Sequence, residues 1–267
     1  MSSASLAVAA ALLYFAASGI QLLHLRQKRP SVSRSVVGTG IVALLCHAVV
    51  VWDTVFTHPG LSLGVYKVPA LIFLIMNVAC FTALVSRPLQ NLLIALFPLS
   101  GLALLVASFS PDTGSTETAM SGGLYVHIGS SLLAYAVLTL AAAQAAIVAV
   151  QDYQLRHHRT RGIVSMLPPL QSMESALFEL LWVGVIMLTL AIASGMVYMN
   201  DMFAQHLVHK TVLTIVAWFL FSTLLWGHYQ LGWRSQTAVR FTLGGFALLM
   251  LAFFGSKMVL ELVLQRG

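Results

Sequence analysis

The sequence predicts an all-α integral membrane protein, a bundle of about eight transmembrane helices with both termini on the periplasmic side. Hydrophobic residues make up 59% of the 267 residues and charged residues only 8%. The mean hydropathy is +0.90, which excludes an ordinary soluble globular chain. Most of the sequence lies in apolar runs of roughly 20 residues, and a helix of that length spans ~30 Å of hydrocarbon.

The eight helices follow one another with short connections and are predicted to form a single transmembrane domain over residues 1–267. The first run lacks the positive charge that precedes the apolar core of a signal peptide, so it is predicted to be a retained helix. Pro168 and Pro169 end one element before Ser172 and Glu174 begin the sixth helix. The predicted spans are 4–25, 36–56, 66–86, 90–109, 121–151, 173–199, 208–229 and 237–262.

The basic residues determine the predicted orientation. Lys67, Lys210, Lys257 and Arg266 lie on the predicted periplasmic side, whereas ten basic residues lie in the opposite connections and mark the cytoplasmic side of a bacterial inner membrane. Because the net charge of +6 is spread over separate loops, membrane lipid and not nucleic acid is the expected partner. The ten residues are Arg26, Lys28, Arg29, Arg34, Arg87, Arg156, Arg159, Arg161, Arg234 and Arg240.

The fifth predicted helix carries a polar face inside an apolar run. His127, Ser131, Ala134 and Tyr135 fall at i, i+4, i+7 and i+8, which places them on one side of a helix. An ionisable side chain is costly in hydrocarbon and normally faces the bundle interior, a cavity or a cofactor. The pattern therefore predicts a histidine-bearing pocket near the periplasmic end of this helix.

His47, near the middle of the second predicted helix, is the other buried histidine that we select. Two imidazoles from different helices, His127 and His47, would suit axial ligation of a haem iron between apolar walls. Zinc is disfavoured, because no further Cys, Asp or Glu lies at matching depth to complete four ligands. The alternative for His47 is a core histidine bonded to the backbone or a hydroxyl of a neighbouring helix.

Polar residues at the start of the seventh predicted helix could complete the pocket. His206 and His209 could supply an alternative ligand, and Lys210 or Lys67 could hold a haem propionate. A solvated helix start is the alternative. His228, beside Trp226 and Tyr229, is typical of an aromatic belt at the membrane surface. Cys46 and Cys80 form no Cys-x-x-Cys motif, so they are predicted to be small buried hydrophobic residues, and haem would be held non-covalently.

Several segments resemble the cytochrome c assembly protein family of CcsA, CcmC and HemX-like membrane proteins, and in particular its short YpjD-type inner-membrane members. The resemblance is strongest over residues 120–257. Its segments are LYVHIGSSLLAYAVLTLAAAQA, LPPLQSMESALFELLWVGVIMLTLAIASGMVY, HKTVLTIVAWFLF and GWRSQTAVRFTLGGFALLMLAFFG. It implies that His127 is an axial ligand of haem b and that His47 corresponds to the family's intramembrane histidine.

Two features of the haem-handling family members are missing. Their Trp-rich segment before the seventh helix is replaced by MNDMFAQHLVHKTV, and their second periplasmic histidine is replaced by FFGSKMVL. The resemblance therefore implies no haem lyase or synthase activity, and His206 or His209 is the candidate for the missing ligand. We expect a non-enzymatic haem-binding protein that acts in haem delivery, in cytochrome c biogenesis or in HemX-like regulation of haem supply, with other membrane or periplasmic haem-handling proteins as partners.

The alternative is a transporter, or a structural partner subunit, whose histidines relay protons or are satisfied in the core. A transporter would predict helix breaks near the middle of the membrane. Pro98 is the one plausible kink inside a predicted helix.

Overall fold

The structure is a computed structural model that describes residues 3–27, 32–57, 60–62, 64–111, 116–117, 122–158, 166–198 and 208–255. Those residues form eight α-helices, which confirms the prediction of a helical architecture. They are α1 (Ser3–Arg26), α2 (Arg34–Val55), α3 (Lys67–Ala83), α4 (Leu93–Phe109), α5 (Gly122–Arg156), α6 (Leu170–Tyr198), α7 (Val208–Leu231) and α8 (Gln236–Met250). A π-helical turn, Leu251–Gly255, follows α8 directly.

Six of these helices are long and apolar enough to cross a membrane: α1, α2, α5, α6, α7, and α8 together with the first residues of the π-helical turn. The other two, α3 and α4, are apolar but have 17 residues each. A helix of that length measures about 25 Å, which is slightly less than the hydrocarbon thickness of a typical bilayer. Pro98 lies inside α4, as predicted.

A small antiparallel sheet was not predicted from the sequence. It consists of β1 (Phe56–Thr57), β2 (Gly60–Ser62) and β3 (Thr116–Glu117), with β2 in the middle. Phe56 pairs with Leu61, and Ser62 pairs with Thr116. Strands of two or three residues are too short to show an alternating hydrophobic pattern. This explains why β2 and β3 looked like loops and why Phe56 was predicted as the end of the second helix.

The contacts divide the chain into two compact units, a division that the sequence did not predict. The first unit contains residues 1–120 and 158–172, and the second contains residues 121–157 and 173–267. In the first unit α1 packs on α2 and α4, and α3 packs on α2 and α4. In the second unit α8 packs on α5 and α7.

In the first unit, α1 and α4 approach each other closely through small residues. A Cβ added at Gly101 would lie 3.3 Å from the Cα of Ala11. Further along the same antiparallel contact, the Ser18 hydroxyl donates to the Ile94 carbonyl at 2.8 Å. Small residues that allow such backbone approach are typical of helix contacts inside membranes.

We expect the Gly101→Leu variant to be less stable than the natural protein, because its side chain would meet the backbone of Ala11. Overpacking of this kind costs typically about 1–3 kcal/mol. The measurement is the thermal unfolding temperature in detergent. Gly19→Leu is the matched control, since no described residue of another helix lies within 4 Å of a Cβ at Gly19. Equal unfolding temperatures for the two variants would contradict the described α1–α4 contact.

In the second unit, α5 and α7 contact α6 at several points along its length. Gly184 of α6 packs against the Leu138 side chain of α5, and the Gln144 side chain of α5 donates to the carbonyl of Met173 at 3.1 Å. The indole of Trp218 in α7 donates to the Thr189 hydroxyl at 2.8 Å. The Trp182 indole of α6 also donates to the Tyr229 hydroxyl of α7 at 3.1 Å, so α5 and α7 are both antiparallel to α6. The two helices therefore run in the same direction, and their first turns lie at the same end of the unit.

Candidate functional site

His127 lies in the second turn of α5, half-buried, and its imidazole is oriented by α6. Its Nδ1 lies 2.8 Å from the carbonyl oxygen of Ala191. A carbonyl can only accept, so Nδ1 carries the proton and Nε2 holds the lone pair. Among the described residues, Nε2 has no hydrogen-bond partner. An imidazole whose Nδ1–H is fixed by a carbonyl, with Nε2 available, is the arrangement that metal-ligating histidines adopt.

The four residues of the polar face predicted for α5 are buried or half-buried, as expected for a face inside a bundle. Ala134 and Tyr135 are buried, while His127 and Ser131 are half-buried. The Ser130 hydroxyl donates to the Val126 carbonyl of its own helix at 2.7 Å, so its proton is used within α5. The residues selected from the sequence therefore lie on the side of α5 that packs into the unit.

The first turn of α7 lies at the same end of the second unit as His127. His209 is its second residue and is exposed, and Lys210 follows and is half-buried. The contacts with α6 place both helices along it: the His127 imidazole of α5 meets the Ala191 carbonyl, and the Trp218 indole of α7 meets the Thr189 hydroxyl. His209 precedes Trp218 by nine residues, roughly 13.5 Å along α7. Both histidines therefore lie toward the end of the unit where α6 finishes.

His206, the other histidine predicted near this helix start, lies outside the described residues. Lys67, the alternative propionate partner, belongs to the first unit, where its amino group donates to the Ser62 hydroxyl at 2.8 Å. Three of the predicted site residues, His127, His209 and Lys210, therefore belong to the described part of the second unit.

His47 is completely buried in the first unit, and both of its ring nitrogens have protein partners. Nε2 lies 3.1 Å from the Ala70 carbonyl oxygen, so it carries the proton. Nδ1 lies 3.1 Å from the Tyr14 hydroxyl and accepts its hydrogen. This geometry matches the alternative interpretation, a core histidine bonded to neighbouring helices. To ligate an iron, His47 would first have to break one of these two hydrogen bonds.

His228 has the nitrogen arrangement of His127, which the sequence did not indicate. Its Nδ1–H donates to the carbonyl of Trp233 at 2.8 Å, and its ring stacks on Phe178 with centroids 3.5 Å apart. Among the described residues, its Nε2 has no partner. Phe178 and Ala191 are thirteen residues apart on α6, roughly 20 Å, so His228 and His127 cannot bind one iron.

The α7–α8 turn next to His228 is fixed by α6. Glu174 accepts a hydrogen bond from the backbone N–H of Ser235 at 2.8 Å, immediately before α8 begins. A carboxylate at a helix start satisfies a backbone donor and complements the helix dipole. Glu174 therefore holds the turn.

Among the described residues, no three His, Cys, Asp or Glu side chains lie close enough together to hold a metal ion. A haem iron requires fewer ligands from the protein than a bare metal ion does. The porphyrin supplies the four equatorial nitrogens, and the protein adds one or two axial ligands. A single oriented imidazole such as His127 fits this requirement.

Known proteins resemble the chain over more than half of its length. The chain is 37% identical over 244 residues to the inner membrane protein YpjD of Escherichia coli, a match that covers 90% of this chain and 91% of the relative. An uncharacterised 28.8 kDa protein of Azospirillum brasilense is 28% identical over 78% of the chain and 77% of its own length. Protein HemX of Brevibacillus brevis is 24% identical over 62% of the chain and 63% of its own length.

No solved structure matches the chain significantly. The model of the cytochrome C assembly protein family matches residues 37–264, a range that runs from the first turn of α2 past the end of α8. With a relative 37% identical over nine-tenths of the chain, this match identifies the family. The chain belongs to the cytochrome c assembly protein family.

Proposed function

We propose that this multi-pass inner-membrane protein binds haem b non-covalently through His127 and acts in haem handling. The orientation of the His127 imidazole carries the proposal. The Ala191 carbonyl fixes its Nδ1–H, so Nε2 can act as an axial ligand without breaking any described contact. Bound haem would supply an iron with open axial positions inside a largely apolar unit.

The first turn of α7 supplies the remaining groups in this proposal. His209 is the candidate for the second axial position, with His206 as its alternative, and Lys210 is the candidate partner of a haem propionate. If the N-terminus is periplasmic, as the basic loops predict, this end of the second unit opens to the periplasm. Haem bound there would be placed for exchange with periplasmic haem-handling proteins.

We assign His47 a structural role within this proposal, because both of its ring nitrogens are engaged by the protein. In this proposal the protein is not an enzyme. It delivers haem, contributes to cytochrome c biogenesis or regulates haem supply. The name of the relative HemX and membership of the assembly family are consistent with these roles.

The test is the visible absorption spectrum of the detergent-purified protein from haem-replete cells, repeated after reconstitution with hemin. We expect a Soret band with low-spin features, saturating at one haem per chain. Absence of a Soret band after reconstitution would overturn the proposal. It would favour the alternatives, a transporter or a structural partner subunit with core histidines.

A further inference from the structure

Two buried amide side chains in the first unit have no hydrogen-bond partner among the described residues. Gln21 lies on α1 and is 1% exposed, and Asn91 lies in the turn before α4 and is 9% exposed. Neither the nitrogen nor the oxygen of either amide is hydrogen-bonded to a described group. Nearly all buried polar groups in native proteins have a partner, because an unsatisfied group is costly. These four atoms therefore indicate a ligand at this place.

The register of α1 against α4 places the two amides opposite each other. Near one end of this antiparallel contact, Ala11 lies against Gly101. Seven residues further along each helix, the Ser18 hydroxyl donates to the Ile94 carbonyl at 2.8 Å. Three more residues along each segment lead to the two amides. A step of three residues stays on one helix face, and the backbone of Leu92 before α4 is also helical. Both amides therefore lie on the contacting sides.

The neighbouring polar groups of this contact are satisfied by the protein itself. Pro98 has no backbone N–H, so the Ile94 carbonyl lacks its usual partner inside α4. Ser18 of α1 donates to that carbonyl, as neighbouring helices do for the carbonyls that prolines release in membrane helices. The two amides lie one turn beyond this bond, where no described group pairs with them. The unpaired atoms are thus confined to one level of the α1–α4 contact.

Two facing carboxamides offer a neutral site with both kinds of hydrogen-bonding group. Each contributes a nitrogen that donates and an oxygen that accepts. A bound molecule must therefore donate and accept at once, and water does both. Buried waters typically make about three hydrogen bonds to groups that the protein leaves unpaired. A metal cation would bind only the two oxygens and would leave both nitrogens unsatisfied.

We propose that Gln21 and Asn91 form an internal water site that joins α1 to α4 in the first unit. Water between the two amides satisfies both, and it holds together the part of the helix contact that lies beyond Ser18. The inference does not depend on haem binding, because His127 and the other proposed haem-binding residues belong to the second unit. It predicts that each amide needs the other, since removing one leaves the water without its partner on that helix.

The test is a water-edited solid-state NMR spectrum of the natural protein in lipid bilayers, with nitrogen-15 in the Gln and Asn side chains. Magnetisation from water should reach the Gln21 and Asn91 amides rapidly. Gln144 is the matched control, because it is also 1% exposed but donates to the Met173 carbonyl in the second unit at 3.1 Å. Its amide should receive magnetisation slowly. Equally slow transfer to all three amides would overturn the water site.

Apolar replacements test whether the two amides share the water. In Asn91→Leu, transfer to the Gln21 amide should fall to the rate of Gln144, and Gln21→Leu should do the same to Asn91. Unchanged transfer in both variants would reject the bridge. A through-space contact between the two amides without transfer from water would show a direct hydrogen bond, and it would also overturn the proposal. The first measurement uses the natural chain, so it decides the question even if a variant fails to fold.

Discussion

The His127→Gly variant is expected to lose stable haem binding and to recover it when free imidazole is added. Glycine removes the Nε2 donor and leaves a space that imidazole can occupy next to the Ala191 carbonyl. Changes in groups that merely orient a metal ligand cost about 10–100-fold in affinity, so loss of the ligand itself should weaken haem binding by at least about 100-fold. A hemin titration followed at the Soret band measures the effect.

The matched control is His157→Gly, at the C-terminal end of the α5 segment, where the imidazole is exposed and bonded to the Tyr153 carbonyl. It should bind hemin like the natural protein. An undiminished Soret band in His127→Gly would contradict the assignment of the ligand. His228, whose Nε2 is arranged in the same way, would then be the next histidine to replace.

The His47→Leu variant is expected to lose stability while it keeps haem. Leucine leaves the buried Tyr14 hydroxyl without its partner, and an unsatisfied buried polar group costs about 1–3 kcal/mol. The double variant Tyr14→Phe/His47→Leu removes both polar groups, and it should regain most of the lost stability. Thermal unfolding in detergent compares both variants with the natural protein.

The hemin titration of the same variants separates the two roles considered for His47. A structural histidine predicts natural haem affinity in the double variant, because the fold is restored. A haem ligand predicts weak binding in every protein that lacks His47, however stable it is. Weak hemin binding by a well-folded double variant would therefore reject the structural assignment.

The helices could be predicted well from the sequence because length and apolar composition determine them. The predicted span 36–56 and the observed α2, Arg34–Val55, differ by two residues at the start and one at the end. The ends are less predictable where polar residues continue a helix. The fifth helix extends past Gln151 to Arg156, where Asp152 and Arg156 form an ion pair one turn apart at 3.0 Å.

The candidate site could be predicted only in part. Helical spacing predicted the face that contains His127 and Tyr135, because periodicity is a local property of the chain. The partners of each imidazole are residues distant in sequence, and no spacing rule indicates them. His47 and His127 therefore looked equivalent in the sequence, although the structure engages both nitrogens of the first and one nitrogen of the second.

The main-chain hydrogen-bond partner of His127 limits what a scan of side-chain substitutions can detect. Because the Ala191 group that orients the imidazole is a main-chain carbonyl, every natural amino acid at position 191 would retain it. A scan of alanine or cysteine substitutions would therefore assign no role to this position beyond packing, even if the hydrogen bond were essential. Its contribution could be isolated by replacing the peptide bond after residue 191 with an ester, which weakens the carbonyl as an acceptor and leaves every side chain intact.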